Sequence, residues 1–593
     1  MIIPSIDSRG KLSASLLLLL LFIAAVPVFA KNPPKTTGPT PTWDRRGKEE
    51  SDRNAGVFNG FALPISPSLY PFLSGAMLPP SALVAHQSGA LGIATQSILP
   101  QSATRQRSAS PASGVRIPLF LGALNVPSFI SPWYDTDASN GATNESEPSL
   151  VALTNINGTF TAEAYQQDDG HFQLFNIHVA TSTNPAGSFT VSTPYIPFNP
   201  PPTGFTDAFD PMLTTNPYGD GIRPGALYLT TCAATRTYGF NIPGNPMGIR
   251  VWGSDNGGQT WTTSGQTIAY TTSSDTYILD KPVSDVSWYP ATRGYLYVAW
   301  VRLPNPDFGS HSILLRRNTN GLWERCRPAG GGCITAWNDP ITINDGRFND
   351  QAHDPQVVVN PDNGNVYVFW YSANNNEIRM ARSTDQGVSF QPDYTSAPIT
   401  VIRGVYPVAA NNGGYLQNSL RANVVPMIRY NTAAHVMMAA WHARTQPDTG
   451  NGNETALYFA TFNPDTIDSA HALGPLQPLI DPPGTQMQPA IDNDDAGNVL
   501  MTYYTTENHL DPSDPRYQIY GMALSSTGQV LPGCGPTALD GTNSYANGFT
   551  GDYHDNYYFT FPSALGALWN TAWSRNTGTT ASTAFDVWSL GVK

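Results

Sequence analysis

Seven polar residues, Glu147, Asp210, Lys281, Asp354, Arg421, Gln488 and Asp552, recur along the chain at a mean spacing of 67.5 residues. Gathered in one place, they would set four carboxylates against two cations, with His353, Tyr553 and His554 alongside. Charge converging in a concave site suits ligand binding. Two carboxylates at a fixed separation can act as general acid and general base in glycosidic cleavage. Glu147, Asp210, Asp354 and Asp552, with Tyr553 beside them, are thus the catalytic candidates. Lys281, Arg421, His353, Gln488 and His554 are the ligand-binding ones. A structural reading of the same residues stays open. Most precede proline, which fixes φ and cannot donate to a β-ladder, so a polar-Pro pair is also a way to start a strand.

What positions these residues is a repeat. "DPQVVVNPDNGNVYVFWYS" from Asp354 and "KPVSDVSWYPATRGYLYVAWVR" from Lys281 show its form. An apolar run is followed by a turn rich in Asn, Asp and Gly, then by a second apolar run carrying Trp or Tyr. Two strands joined by such a turn make a hairpin. Runs that are apolar at almost every residue are buried on both faces. A third strand is visible in "FNIHVATS" from Phe175, "IRVWGS" from Ile249, "EIRMARS" from Glu377 and "ALYFATF" from Ala456, and the remaining length admits a fourth. The spacing predicts an all-β chain: a β-propeller of seven blades, with six as the alternative, each of four antiparallel strands. Prolines within the periodic segments, and the lack of a sustained 3.6-residue period, disfavour a helical repeat. If equivalent residues open each innermost strand, the seven polar residues ring one mouth of the central channel.

The same turn recurs after two of the third strands. "SDNGGQTW" holds Ser254, Asn256, Gly258 and Trp261, and "STDQGVSF" holds Ser383, Asp385, Gly387 and Phe390. Asp or Asn accepts turn N–H bonds, Gly permits positive φ, and the aromatic plugs the blade. This pattern resembles the Asp box, or BNR repeat, of the sialidase (neuraminidase) superfamily, and the resemblance covers about residues 145 to 593. It implies a propeller with the box between the third and fourth strands. It also implies an axial site that uses three Arg for a carboxylate, a Tyr nucleophile assisted by a Glu, and an Asp acid/base. Arg116-Ile117-Pro118 matches the R-I-P form of the family's first Arg but precedes the first clear repeat by about thirty residues. Arg421 is the one Arg of the ring, and Arg250, Arg302, Arg379 and Arg444 lie at strand ends. The chain therefore reads as a sialidase-like propeller that binds a glycan or another surface polymer at its axial face without sialidase activity. The alternatives are an exo-acting glycoside hydrolase of sialidase type and a protein-interaction or structural propeller.

The rest of the chain sets limits. A net charge of −13 and the lack of a basic cluster exclude nucleic acid as a partner. Arg9 and Lys11 precede "SLLLLLLFIAAVPVFA", the layout of a secretory signal cleaved after Ala30, with an uncleaved anchor as the alternative. After cleavage no apolar run is long enough to span a bilayer. Residues 31–143 form a Pro-, Ser- and Ala-rich extension, polar and disordered in its first part, ahead of the propeller at 144–593. Cys326 and Cys333 enclose "CRPAGGGC" and are expected to form a disulfide in an oxidising compartment. Cys232 and Cys534 pair only if the fold brings them together. No cofactor is implied and no metal spacing stands out. "DNDDAGN" from Asp492 has Ala496 where a Ca²⁺ loop needs a ligand.

Overall fold

The structure is a computed structural model. It describes residues 57–58, 61–62, 132–137 and, with breaks at loops, 144–592. Outside that description lie residues 1–56 and 63–131, and loops including 193–204, 236–245, 320–336, 408–423, 446–453, 546–553 and 576–585. Arg116, Arg421, Asp552, Tyr553, Cys326 and Cys333 fall among them. Among the described residues no helix is long and apolar enough to cross a membrane.

The described chain is all β. Strands β1 (Val57–Phe58) and β2 (Phe61–Ala62) pair with each other, and β3 (Pro132–Asp137) stands alone in sequence. Seven antiparallel sheets account for the rest. The first joins β4 (Asn144–Asn155), β5 (Gly158–Asp168), β6 (Phe175–Ser182) and β7 (Thr190–Ser192). The second joins β8 (Asp207–Asn216), β9 (Ala226–Ala234), β10 (Met247–Ser254) and β11 (Gln266–Tyr270). Next come β12 (Tyr277–Val286), β13 (Leu296–Pro304), β14 (Ser312–Asn318) and β15 (Ile341–Asn344). The fourth has β16 (Ala352–Val359), β17 (Val366–Ser372), β18 (Glu377–Ser383) and β19 (Ile399–Arg403). The fifth has β20 (Met427–Asn431), β21 (Val436–Ala443) and β22 (Ala456–Phe462), with a single Leu457–Ile480 bridge at its outer edge. The sixth has β23 (Gln486–Asn493), β24 (Val499–Thr505), β25 (Arg516–Leu524), β26 (Thr537–Ala538) and β27 (Ser544–Tyr545). The seventh has β28 (Asp555–Phe561), β29 (Gly566–Arg575) and β30 (Asp586–Val592). Its fourth strand is β3, which pairs with β30. Six sheets thus carry four or more strands and one carries three. Each innermost strand contacts that of the next sheet, and β28 returns to β4, closing the ring.

The polar-Pro pairs do not start the strands. They form bulges within the inner strands, where two residues face one on the partner. Glu147-Pro148 interrupts the β4–β5 register between Ser146 and Ser149, and the same shift occurs at Asp210-Pro211, Lys281-Pro282, Asp354-Pro355 and Gln488-Pro489. Proline supplies no N–H, so a bulge is where a ladder tolerates it. Opposite these bulges on the second strands stand Tyr165, Thr231, Trp300, Trp370 and Tyr503, all buried. Trp441 and Trp573 take the matching places, one residue beyond the Met427–Ala440 and Asp555–Ala572 pairs.

The two recurrent turns share one hydrogen-bond pattern. The Gly258 N–H donates to Ser254 Oγ at 2.9 Å, and Thr260 N–H to Asn256 Oδ1 at 2.9 Å. Correspondingly, Gly387 N–H donates to Ser383 Oγ at 2.7 Å, and Ser389 N–H to Asp385 Oδ1 at 2.9 Å. Both turns press on the preceding blade. A Cβ on Gly257 would meet the Phe160 ring, and one on Gly387 would meet Tyr297. The Tyr297 hydroxyl donates to Gln386 O at 3.0 Å. Phe390 is buried, and Trp261 is partly buried against the core.

Candidate functional site

The bulges give the site its geometry. Glu147, Asp210, Lys281, Asp354 and Gln488 have φ of +57°, +55°, +55°, +55° and +49°, the left-handed region. A non-glycine residue seldom adopts it, and a following proline narrows the choice further. Each such position costs on the order of 1–3 kcal/mol, and strain of this kind clusters at functional sites. Repetition on five strands puts the side chains at one level of the inner ring. They are 1–3% exposed, so the ring is a packed polar layer and not an open mouth.

Arg421 and Asp552 lie outside the described residues. The proline just before β20 is Pro426, five residues beyond Arg421. In the seventh sheet His554 directly precedes the Asp555–Ala572 pair, as Pro148 precedes Ser149–Ala164. His554 is itself buried, with Nε2 2.8 Å from Thr502 Oγ1. Burial pushes its pKa down to about 3, so the imidazole is neutral.

Neighbouring ring residues meet between β8 and β12. Lys281 Nζ lies 3.4 Å from Asp210 Oδ1. Asp210, Asp280 and Cys232 lie close together, with one ligating atom of each within 4.8 Å of the others. Burial, followed by the Asp210 charge, pushes the Asp280 carboxyl well up, although Lys281 opposes this. Burial raises the Cys232 thiol as well. The spacing would admit a cation, but Lys281 already supplies the charge and the thiol is held protonated. Cys232 and Cys534 are both free thiols, not a pair.

In the next blade, His353 directly precedes the left-handed Asp354 on β16 and is partly exposed. Its ring stands edge-on to His311 with centroids 4.4 Å apart. His311 Nδ1 lies 3.1 Å from the Ala352 carbonyl, which fixes its proton on that nitrogen. Burial, His311 and Lys281 together hold His353 well below the usual histidine range. A neutral imidazole offers one donor and one acceptor, the complement of a sugar hydroxyl.

Beneath the ring lies a second polar layer that residue spacing alone did not single out. Ser149 Oγ accepts Leu213 N–H at 3.0 Å, Asp285 Oδ2 accepts Val359 N–H at 2.8 Å, and Asp492 Oδ2 accepts Tyr558 N–H at 2.7 Å. Asp555 Oδ2 accepts Leu150 N–H at 3.1 Å and pairs through Oδ1 with Arg429 Nη2 at 3.2 Å. These acceptors satisfy the inner-edge N–H groups that a sheet otherwise leaves open. Burial raises Asp492 to about 8 and Asp555 to about 7, against the pull of Arg429. Among the described residues Arg429 is the arginine of the innermost strands, and it is fully buried. Arg302 and Arg379 sit on the second and third strands of their sheets, and Arg379 pairs with Asp350 and Glu377.

No protein-family model matches this chain, and no curated protein does. Solved structures do. A polysaccharide lyase of family PL25, an ulvan lyase bound to -[GlcA(1-4)Rha3S]-, matches at 10% identity with a TM-score of 0.36, over 59% of this chain and 75% of the lyase. The endosialidase of phage phi92 matches at 9% identity with a TM-score of 0.38, over 78% of this chain and 69% of its own. A thermostable family-43 glycoside hydrolase matches at 13% identity with a TM-score of 0.29, over 58% of this chain and 98% of its own. These are glycan-active proteins. At such identities and TM-scores the likeness carries no argument about activity, and function has to be argued from the residues.

Proposed function

We propose that this propeller binds a glycan or another surface polymer at the axial face where the bulged ring lies, without cleaving it. The observation that carries the reading is the left-handed, pre-proline conformation held on five inner strands by non-glycine residues. A strand start needs no such strain. Its retention at one level fits a preorganised polar layer that supports an axial face from behind, where the partly exposed, neutral His353 can meet a hydroxyl-rich ligand. The buried carboxyls favour binding over acid–base catalysis, because a catalytic carboxyl must reach the substrate. We further propose that the protein acts outside the cytoplasm, delivered by an N-terminal signal cleaved after Ala30. A mature chain beginning at Lys31, read by N-terminal sequencing, checks that step.

A sialidase reading requires several guanidiniums converging on the substrate carboxylate. Arg429 is buried against Asp555 and does not serve that purpose. The purified protein, screened on an array of neutral and acidic glycans, is expected to retain one class. His353→Ala should weaken that binding with the melting temperature nearly unchanged. Release of fluorophore from a sialoside would replace this reading with the hydrolase one. Neither binding nor release would leave a protein-interaction propeller.

A further inference from the structure

A cavity lies between the second and third blades. The edge strand β11, residues 267–270, runs over the facing side of the third blade and encloses about 320 Å³. Residues two apart on adjacent strands of that face form its wall: Tyr277 on β12, Trp300 and Arg302 on β13, and Leu314 and Arg316 on β14. Trp300 pairs directly with Leu314, so these side chains share one face of the sheet. Tyr270, 58% exposed, stands at the entrance. The outer end is strapped by Trp337, whose Nε1 donates to Gln266 Oε1 at 2.6 Å.

Two guanidiniums enter this cavity. Arg302 lies over the Tyr277 ring at 5.2 Å and has a long 3.4 Å bond from Nη2 to Ser312 Oγ. Arg316 is half-buried. Its Nε is out of water and has no hydrogen-bond partner among the described residues. Burial lowers its pKa, and Asp339, exposed at the surface, helps keep it charged. An Nε–H that has lost water without gaining an acceptor is matched by a carboxylate, which can take that N–H and a second one from the same guanidinium in parallel. Aromatic faces at the entrance and wall suit the C–H face of a sugar ring, and the volume is at the lower end of the range of about 300–1,000 Å³ for small-ligand sites. We propose that this inter-blade cavity binds a single sugar-acid ring, its carboxylate on Arg302 and Arg316 and its ring against Tyr270 and Tyr277. The site is separate from the axial ring and does not depend on the reading given to that ring.

The test titrates the full-length protein with glucuronate, glucose and benzoate, followed by calorimetry and by ligand-observed NMR. Glucuronate is expected to bind and glucose to bind at least ten-fold more weakly. Arg316→Met and Arg302→Met should each lower glucuronate affinity ten-fold or more, and added salt should weaken it. Leu510→Ser, at an exposed position between β24 and β25, should leave it unchanged. Tyr270→Ala alters an exposed side chain, so it remains informative if an arginine variant fails to fold, and it should weaken binding several-fold. The proposal is overturned if glucuronate does not bind, if glucose binds equally well, or if Tyr270→Ala and the arginine variants bind like the parent. Binding of benzoate in preference to glucuronate overturns the sugar assignment.

Discussion

Lys281 Nζ and Asp210 Oδ1 lie 3.4 Å apart across a blade boundary, and each belongs to a left-handed residue ahead of a proline. Both are buried, so neither charge has water to fall back on. Lys281→Met should destabilise the protein by roughly 3–5 kcal/mol, because it strands the charge of Asp210 beside Asp280. Adding Asp210→Asn should recover a large part of that loss. Urea unfolding of the single and double variants measures the coupling. Equal stability of Lys281→Met and parent would mean the pair does not hold these blades together.

The turn at Gly387 can be compared with a glycine that shares its backbone. Gly387 and Gly533 both have φ of +77°. A Cβ on Gly387 would come 2.7 Å from Tyr297, whereas nothing lies within 4 Å of one on Gly533. Gly533→Ala should therefore show backbone strain alone, roughly 1–2 kcal/mol. Gly387→Ala should cost a further 1–3 kcal/mol or so from overpacking against the neighbouring blade. Melting temperatures of the two variants, taken side by side, separate strain from packing. Identical losses would show that the turn does not brace the preceding blade.

The lower polar layer makes stability depend on pH. Asp492 titrates at about 8 and Asp555 at about 7 in the folded chain. In the unfolded chain both titrate near about 3.9. Above that value the folded state holds protons that the unfolded state has released. The contribution is thus fully present below about pH 4 and is lost as pH rises through 7 to 8, at up to about 1.4 kcal/mol per pH unit for each group. Asp492→Asn should flatten the fall in urea midpoint between about pH 5 and pH 8. A parent protein whose midpoint rises over that range would contradict the assignment.

Cys232 and Cys534 are buried thiols with raised pKa values, and neither should react with iodoacetamide in the native protein. Both should label fully once the chain is unfolded. Peptide mass spectrometry after timed alkylation reads each site. Rapid native labelling of Cys232 would show that the set around Asp210 is open to solvent.

How much of this was legible follows from what repeats. The hairpins, the blade count and the two recurrent turns could be read from the sequence, because paired apolar runs and Asn, Asp and Gly turns are local signals. The ring was readable where a polar residue precedes proline, as at Glu147, Asp210, Lys281, Asp354 and Gln488. At Arg421 and Asp552 no proline follows, so spacing alone places them, and both lie outside the described residues. The second-strand aromatics give the better ruler: Trp441 and Trp573 each stand one residue beyond the first inner-strand pair of their sheet, Met427–Ala440 and Asp555–Ala572. Arg429, Asp492 and Asp555 were missed because their partners are hundreds of residues away or on a neighbouring strand. Arg429 and Asp555 meet only when the fifth and seventh sheets share an axis. Residue spacing along one strand does not carry that information.

Strand β3 has a consequence for how the ring is completed. It comes from residues 132–137 yet pairs with β30 at 586–592, so the last blade is woven from both ends of the propeller. During synthesis β3 has no pairing partner until residues 586–592 have been made. Up to that moment six sheets can assemble in order while two facing edges stay open. Such edges invite pairing with other chains. The latch therefore completes the last blade at its final step: a chain cut short before residue 586 keeps β28 to set against β4, but β3 and the outer edge of β29 are left without the strand that joins them.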